Sequence, residues 1–433
     1  AILSIIYIHF LSKFTRTIIY LSLLGAVCGI GFIGLRLFYQ SEATFSSIDP
    51  ISRRLYFALA LISWSAAVLG MLLFFVYRKN IDETCAVIQV SGKIVGANAG
   101  LFFIPVIAFV LFLGVLSAFL FIAVMSLSLG EKVLSESAQS CALKIVPGIN
   151  PESLLWDMGG LDIVQGIGIY LLVGLVWCTE IVSSYCFMVL SFCYVMWYFS
   201  DRADLSDRTE HCLPEGTLYK ALCWTTTFHF GTIVLGSLVV TTVQLLQLLL
   251  RVAMFQASKI LKQNKINRFV FYVTDLIVTV SRKIISFGTK NGYILTCITS
   301  KNFCSATTEA CQVLSDRYVT LIFLLFFKDL VLFLGRVFVV CGALVFSDAL
   351  FSSSVASATV VRFYPMVVIA AASYFISSSF FYLLSVSFQA TLICFAYDSH
   401  HNGGYFAPKE LRKFLNLREM IDKTTGIPGI TQI

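Results

Sequence analysis

Charged side chains are scarce in this sequence. Asp, Glu, Lys and Arg make up 13% of its 433 residues, against roughly 25% in soluble domains. Hydrophobic residues make up 58%, which excludes an ordinary soluble protein and indicates an integral membrane protein. The net charge of +7 comes from basic residues that flank apolar runs instead of forming one patch. The sequence therefore predicts the lipid bilayer, and no nucleic acid, as a partner.

The sequence also lacks the residue clusters on which metal sites and enzymes depend. None of its 13 cysteines occurs in a CxxC pair, and most of them lie inside apolar runs, where Cys behaves as a small hydrophobic residue. No acid–base pair of the HxxxxD type and no nucleophile set is present. We therefore expect no metal, no cofactor and no enzymatic activity.

Long apolar runs are abundant. Each of seven runs holds 20 or more largely apolar residues, which as a helix cross a hydrocarbon core of ~30 Å. The predicted spans are residues 17–39, 55–77, 99–128, 161–199, 222–250, 317–346 and 363–397. The run 161–199 is unusually long and predicts a broken or strongly tilted helix. The sequence thus predicts an all-α polytopic membrane helix bundle that forms a single domain over residues 1–433.

Two segments leave the topology open. Residues 269–287 are an extra candidate span, but Asp275, Arg282 and Lys283 weaken that assignment. If this segment crosses the membrane, the sides on which the later loops lie are exchanged. Residues 81–97 are too polar to span and are typical of an amphipathic interfacial helix.

The chain begins at Ala1, without a Met. A short apolar run from Ile2 to Leu11 precedes Lys13. That run is too short to span and lacks the basic region of a signal peptide. We expect an N-terminal part of the protein to lie outside this sequence.

Several stretches, taken in order along nearly the whole chain, resemble motifs of the choline transporter-like family. They are YRKNIDETCAVIQVSGKIVGANAGLFFIP (77–105), WCTE and WYF (177–180 and 197–199), FHFGTIVLGSLVVTTVQ (228–244), the segment with NGY and KNFC (291–304) and CFAYDSHHNGG (394–404). The chain is therefore identified as similar to this family.

The resemblance implies a fold of about ten spans, whose first span and large extracellular loop lie outside this sequence. It implies a transporter of choline or a similar small organic cation that exposes a midplane site to each side of the bilayer in turn. It favours the plasma membrane over an internal organelle membrane. It also places the tail, residues 398–433, in the cytosol.

One departure from the family pattern keeps a second function open. Gln389 stands where the resemblance leads us to expect an acidic residue in the last span, and the loss of an acid would remove a partner for a cation or a proton. The alternative is a non-transporting membrane scaffold, or a subunit that works with other membrane subunits, with the same fold.

A quaternary ammonium cannot donate classical hydrogen bonds, so its carrier needs aromatic faces and a compensating carboxylate. Trp177 and Glu180 are three residues apart and share a helix face, and a carboxylate inside a span is a functional hypothesis by default. We predict a substrate site formed by Trp177, Glu180, Tyr185, Trp197 and Tyr198. The competing interpretations are a structural hydrogen bond for Glu180 and the interfacial aromatic belt for Trp197 and Tyr198.

Four other polar residues are assigned gating or structural roles. His229 begins a predicted span, where it acts either as a proton-sensitive gate or as a packing residue. Asp329 and Arg336 are seven residues apart, and we expect each to pair with another helix. Gln389, in the last span, completes the set.

Small residues and cysteines predict packing surfaces. Gly231 and Gly236 lie on a small-residue face suited to close helix contact. Cys297, Cys304 and Cys311 recur every seven residues, which predicts a stripe along one helix that packs and does not bind metal.

Overall fold

The computed structural model describes residues 2–43, 50–76, 78–97, 99–145, 160–200, 216–260, 265–315, 318–354 and 359–412. Within these ranges the chain is helical apart from short connections, and no strand occurs. The helices are α1 (Ile2–Ala43), α2 (Pro50–Val76), α3 (Arg78–Ala97), a 3-10 helix (Ala99–Phe103), α4 (Ile104–Ile145), α5 (Gly160–Tyr198), α6 (Thr217–Thr227), α7 (Phe230–Ile260), α8 (Lys265–Thr299), α9 (Phe303–Ser315), α10 (Tyr318–Ser354) and α11 (Thr359–His401). The all-α prediction is confirmed.

Among the described residues, six helical segments are long and apolar enough to cross a membrane. They are Arg54–Leu72, Gly100–Ser126, Gly166–Tyr198, Phe230–Met254, Leu324–Leu350 and Tyr364–His401. They overlap six of the seven predicted spans and identify a polytopic membrane protein. The remaining prediction, 17–39, lies in α1 beyond a kink at Phe14. It stays a prediction, as does 269–287, which lies in α8.

Two predicted spans differ in detail from the observed helices. Residues 222–250 are divided between α6 and α7, and Phe228 and His229 lie in the break. Residues 161–199 were expected to break or to tilt, and they form the continuous helix α5. A helix of 39 residues extends ~58 Å, about twice the ~30 Å hydrocarbon core. The observed continuity excludes the broken alternative, and the tilt stays a prediction.

The described part of the chain forms two compact units. Unit 1 comprises residues 1–101, 194–215 and 312–433, and unit 2 comprises residues 102–193 and 216–311. Unit 1 contains α1, α2, α3, α10 and α11. Unit 2 contains α4, most of α5, α6 to α8 and most of α9.

Helix α3 is a packed element of unit 1 and not an isolated surface helix. It contacts α1, α10 and α11. Its apolar residues Ile81, Cys85 and Ile88 are at most 2% exposed, and the Ser91 carbonyl accepts a hydrogen bond from Ser387 at 3.1 Å. The apolar face of the amphipathic segment 81–97 is thus buried by neighbouring helices, and its location at the membrane interface stays a prediction.

Charged residues of α8 find their partners on α7 within unit 2. Arg251 forms an ion pair with Asp275 at 2.7 Å, and Arg282 donates a hydrogen bond to the Gln247 amide oxygen at 3.3 Å. Gln247 in turn donates to Thr279 at 3.0 Å. Asp275 and Arg282, two of the three residues that weakened 269–287 as a span, therefore belong to a ladder of polar contacts between two antiparallel helices.

The cysteine stripe predicted over residues 297–311 is wrong. Helix α8 ends at Thr299, and Ser300 adopts a left-handed backbone conformation with φ 55°. Helix α9 begins at Phe303, and Lys301 at the turn pairs with Glu309 at 2.7 Å. Cys297 is buried in α8, whereas Cys304 and Cys311 are exposed on α9. A strict sequence period cannot reveal a turn that one residue in the left-handed region creates.

The residues after α11 fold back onto unit 1 as far as the structure describes them. This segment, Asn402–Arg412, is termed the C-terminal strap. The buried carboxylate of Asp398 accepts hydrogen bonds from the Phe406 N–H at 3.1 Å and from the Tyr198 hydroxyl at 3.4 Å. At the far end of the strap, Glu410 pairs with Lys93 of α3 at 2.5 Å. The residues of the predicted tail beyond 412 lie outside the described part.

The contribution of the Lys93–Glu410 pair to the stability of the folded state depends on pH. Burial by itself raises the pKa of Glu410, but the hydrogen bond and charge of Lys93 outweigh burial and hold that pKa below its usual value. Ionised Glu410 therefore stabilises the folded state above about pH 4.3, and this contribution disappears as pH falls through the lowered pKa.

We expect Lys93→Gln and Glu410→Gln to show a coupling of about 0.2–1 kcal/mol at pH 7, the usual range for a partly exposed pair. The measurement is a double-mutant cycle of thermal stability in detergent, at pH 7 and at an acid pH below the lowered pKa of Glu410. The coupling should vanish in the acidic arm, and equal coupling at both pH values would contradict the assignment.

Candidate functional site

The predicted carboxylate of the site, Glu180, is held in place from a neighbouring helix. Its Oε2 accepts a hydrogen bond from Gln244 Nε2 of α7 at 3.2 Å. The bond ties one carboxylate oxygen of Glu180 to α7. The competing interpretation, a structural hydrogen bond for Glu180, thus describes one of its contacts.

Trp177 lies one helical turn before Glu180, so the two residues lie on one face of α5. The indole Nε1 of Trp177 is buried and donates to no group in the part of the chain that the structure describes. A buried donor without an acceptor costs about 1–3 kcal/mol. Such a group beside an anchored carboxylate is suited to a ligand that supplies the missing acceptor.

The same face of α5 continues through Ser184 and Phe187, and Tyr293 of α8 packs against it. The Tyr293 hydroxyl donates to the Ile233 carbonyl at 3.2 Å, and its ring centroid lies 6.3 Å from that of Phe187. Burial, reinforced by the charge of Glu180, raises the pKa of Tyr293 well above its usual range. The hydroxyl therefore stays a donor at neutral pH.

Tyr185 and His229 lie away from this face. The Tyr185 hydroxyl is 2.9 Å from the Thr226 hydroxyl of α6. The His229 ring packs on Phe192, with centroids 5.4 Å apart, in the break between α6 and α7. This placement favours packing over gating for His229, and both proposed roles remain predictions.

Trp197 and Tyr198 lie in unit 1 at the end of α5. Glu180, earlier on the same helix, belongs to unit 2. Both side chains are buried, with exposed fractions of 5% and 0%, and Tyr198 donates to Asp398. The hydrogen bond of Tyr198 to Asp398 links it to the carboxylate that also holds Phe406 of the strap, and the substrate role of both residues stays a prediction.

Asp329 and Arg336 do not pair as the sequence predicted. Asp329 contacts the adjacent Lys328 at 3.1 Å, and its side chain is 73% exposed. The Arg336 Nε is buried and has no hydrogen-bond partner among the described residues. The expectation that Asp329 pairs with another helix is therefore corrected: its partner is Lys328 on its own helix, which the long and flexible lysine side chain reaches although adjacent helix positions do not face each other.

Lys328 is a buried charged residue of this region that is not among the predicted site residues. Its side chain is 9% exposed, and Nζ donates to Ser385 of α11 at 3.3 Å. The same Nζ lies 5.9 Å from the ring centroid of Phe388. Gln389, the next residue, is buried at 7% exposure. A buried cation in unit 1 thus lies near the position where an acid was expected.

Three residues that hold candidate site residues or the strap are not among the site residues that the sequence predicts. They are Gln244, Tyr293 and Asp398, which hold Glu180, Phe187 and the strap respectively. Each lies within a stretch that resembles a family motif. That resemblance was the signal from which they could have been found.

Comparison with known proteins relates the chain to one family. The family model described as plasma-membrane choline transporter matches residues 61–400. The chain is 24% identical over 480 residues to choline transporter-like protein 4 of Danio rerio, covering 98% of this chain and 64% of the relative. It is 24% identical over 361 residues to choline transporter-like protein 3 of Homo sapiens, covering 82% and 51%. The chain thus spans between about half and two thirds of the length of these relatives.

Proposed function

Because the chain belongs to the choline transporter-like family, we propose that it transports choline or a related small organic amine by alternating access. Its relatives are named as transporters, which is a non-enzyme class. The long apolar helices are those of an integral membrane protein. We propose the plasma membrane as its location, because the family is described as plasma-membrane transporters.

The observation that carries this proposal is the pairing of an unsatisfied donor with an anchored acid. Trp177 presents a buried N–H without an acceptor, and Glu180, one turn away, is fixed by Gln244. Choline has a quaternary ammonium and a hydroxyl. Its ammonium is attracted by a carboxylate and by an indole face, and its hydroxyl oxygen can accept the indole N–H.

The first test is uptake of radiolabelled choline by the full-length protein in proteoliposomes. We expect saturable uptake that tetramethylammonium inhibits. The neutral carbon isostere of choline, 3,3-dimethylbutan-1-ol, should not inhibit, because it lacks the charge that Glu180 compensates. Wild-type uptake no greater than that of empty liposomes would sink the transporter proposal and favour the scaffold alternative, with other membrane subunits as partners.

The Trp177→Phe variant separates the two contacts of the indole. Phenylalanine keeps an aromatic face but removes the N–H. We expect the inhibition constant of choline to rise about three- to tenfold, which corresponds to the loss of one hydrogen bond. The inhibition constant of tetramethylammonium, which has no hydroxyl, should change little. The measurement is competition against labelled choline.

The hydrogen bond from Trp177 to the substrate hydroxyl is tested by a control variant and by one contradicting outcome. Trp224→Phe is the matched control, because Trp224 packs on Phe192 away from the Glu180 face. Equal losses for choline and tetramethylammonium in Trp177→Phe would contradict a hydrogen bond to the substrate hydroxyl.

A further inference from the structure

A lysine of the protein itself already occupies an aromatic face beside the proposed site. The Lys290 Nζ lies 5.8 Å from the ring centroid of Phe187, within the distance at which an ammonium is attracted to a π face. Phe187 is 2% exposed. Lys290 and Tyr293 are one turn apart on α8, so one helix brings both side chains to the same ring.

The ring is part of a larger cluster. Tyr293 lies 6.3 Å from Phe187 and 5.6 Å from Phe303, measured between ring centroids. Lys290, Phe187, Tyr293 and Phe303 are termed the Phe187 cluster. Within unit 2 this cluster combines electron-rich faces with one ammonium.

The Phe187 cluster adjoins Glu180 along α5. Glu180, Ser184 and Phe187 follow the spacing i, i+4 and i+7, which places them on one helix face about 10 Å from end to end. Tyr293 of α8 packs on Phe187 of this same face, with ring centroids 6.3 Å apart. An organic cation drawn to Glu180 therefore meets the positive charge of Lys290 at the next aromatic position.

We propose that Lys290 is a tethered cation that competes with the substrate ammonium for Phe187, and so sets the affinity and the selectivity of the site. This inference rests on the transport function proposed above. The two ammonium groups cannot share one ring face because like charges repel. The substrate therefore binds fully only when the lysine side chain withdraws.

The competition with Lys290 also implies that the site selects charged ligands over neutral ones. A permanently charged trimethylammonium replaces the lysine ammonium with a group of the same sign, whereas a neutral molecule offers nothing in exchange for the lost cation–π contact. Lys290 is accordingly a specificity-determining residue of this site.

The experiment compares Lys290→Gln with Lys290→Arg and uses two readouts. One is equilibrium binding of tetramethylammonium to the purified full-length protein, and the other is KM and maximal rate of choline uptake. We expect Lys290→Gln to lower Kd and KM about three- to tenfold, the factor that cation–π attraction implies. Lys290→Arg keeps the cation and should keep wild-type values. Lys301→Gln, which removes a lysine paired with Glu309 on α9, is the control and should change neither value.

Each outcome decides the matter. Unchanged or weaker tetramethylammonium binding by folded Lys290→Gln, or a Lys290→Arg variant that behaves like Lys290→Gln, overturns the inference. If Lys290→Gln does not fold, a weakened Kd in Lys290→Arg overturns it and a wild-type Kd supports it. Absence of binding by every variant overturns it as well. If Lys290→Gln binds tetramethylammonium more tightly than wild type and Lys290→Arg, but no variant takes up choline, only the transport proposal is overturned.

Discussion

Replacement of Glu180 by glutamine should lower the apparent affinity for choline by on the order of a hundredfold. The carboxylate is the negative charge on the α5 face that carries Trp177, and a unit charge about 4 Å from a cation contributes ~4 kcal/mol at an effective dielectric constant near 20. Part of that attraction is lost to desolvation of the two groups. Since each 1.4 kcal/mol is tenfold in affinity, a net loss of about 3 kcal/mol gives the expected factor.

The glutamine variant is close to isosteric and can still accept the hydrogen bond from Gln244, so folding should be preserved. Uptake kinetics in proteoliposomes, normalised to reconstituted protein, give KM and maximal rate. The matched control is Glu309→Gln, which makes the same change at an acid paired with Lys301 on α9. If Glu180→Gln and Glu309→Gln had the same KM as wild type, Glu180 would not belong to the substrate site.

Alanine at Gly236 should destabilise the protein by about 1–3 kcal/mol, the usual cost of overpacking. A Cβ on Gly236 would lie 2.7 Å from Cζ and 2.9 Å from Cε1 of Tyr293 and would overlap its hydroxyl oxygen. Tyr293 is 1% exposed and is flanked by Phe187 and Phe303, so its ring cannot move aside. Choline uptake should fall as well, because Tyr293 packs on the face that holds Glu180.

The control lies on the same helix. A Cβ on Gly231 would meet nothing within 4 Å, and alanine there relieves the glycine penalty of a helix by up to ~1 kcal/mol. Melting temperatures in detergent should therefore fall for Gly236→Ala and hold or rise for Gly231→Ala. Equal melting temperatures for these two variants would refute the close approach of α7 to Tyr293.

The spacing of residues on one helix was predictable. Trp177 and Glu180 share a face because three residues make nearly one turn, and the structure keeps them on one continuous helix. Gly231 and Gly236 were predicted as one small-residue face. That pattern could not distinguish the glycine that meets Tyr293 from the one that meets nothing.

Partners from distant parts of the chain were not predictable. Gln244 is 64 residues from Glu180, and Asp398 is 200 residues from Tyr198. The pairing of Asp329 with Lys328 was missed for the opposite reason. Both residues were recognised as charged, but the burial of Lys328 against Ser385 depends on how closely α10 approaches α11.

The sequence by itself determined that this is a helical membrane protein, because the length and hydropathy of each run are properties of consecutive residues. It determined the family through ordered motifs, and it placed an acid beside an indole. Only the tertiary structure decided that Gln244 orients that acid, that Lys290 covers Phe187, and that residues 291–310 turn at Ser300. Those contacts depend on the distances between helices, which are set by packing at positions such as Gly236 and leave no periodic trace along the chain.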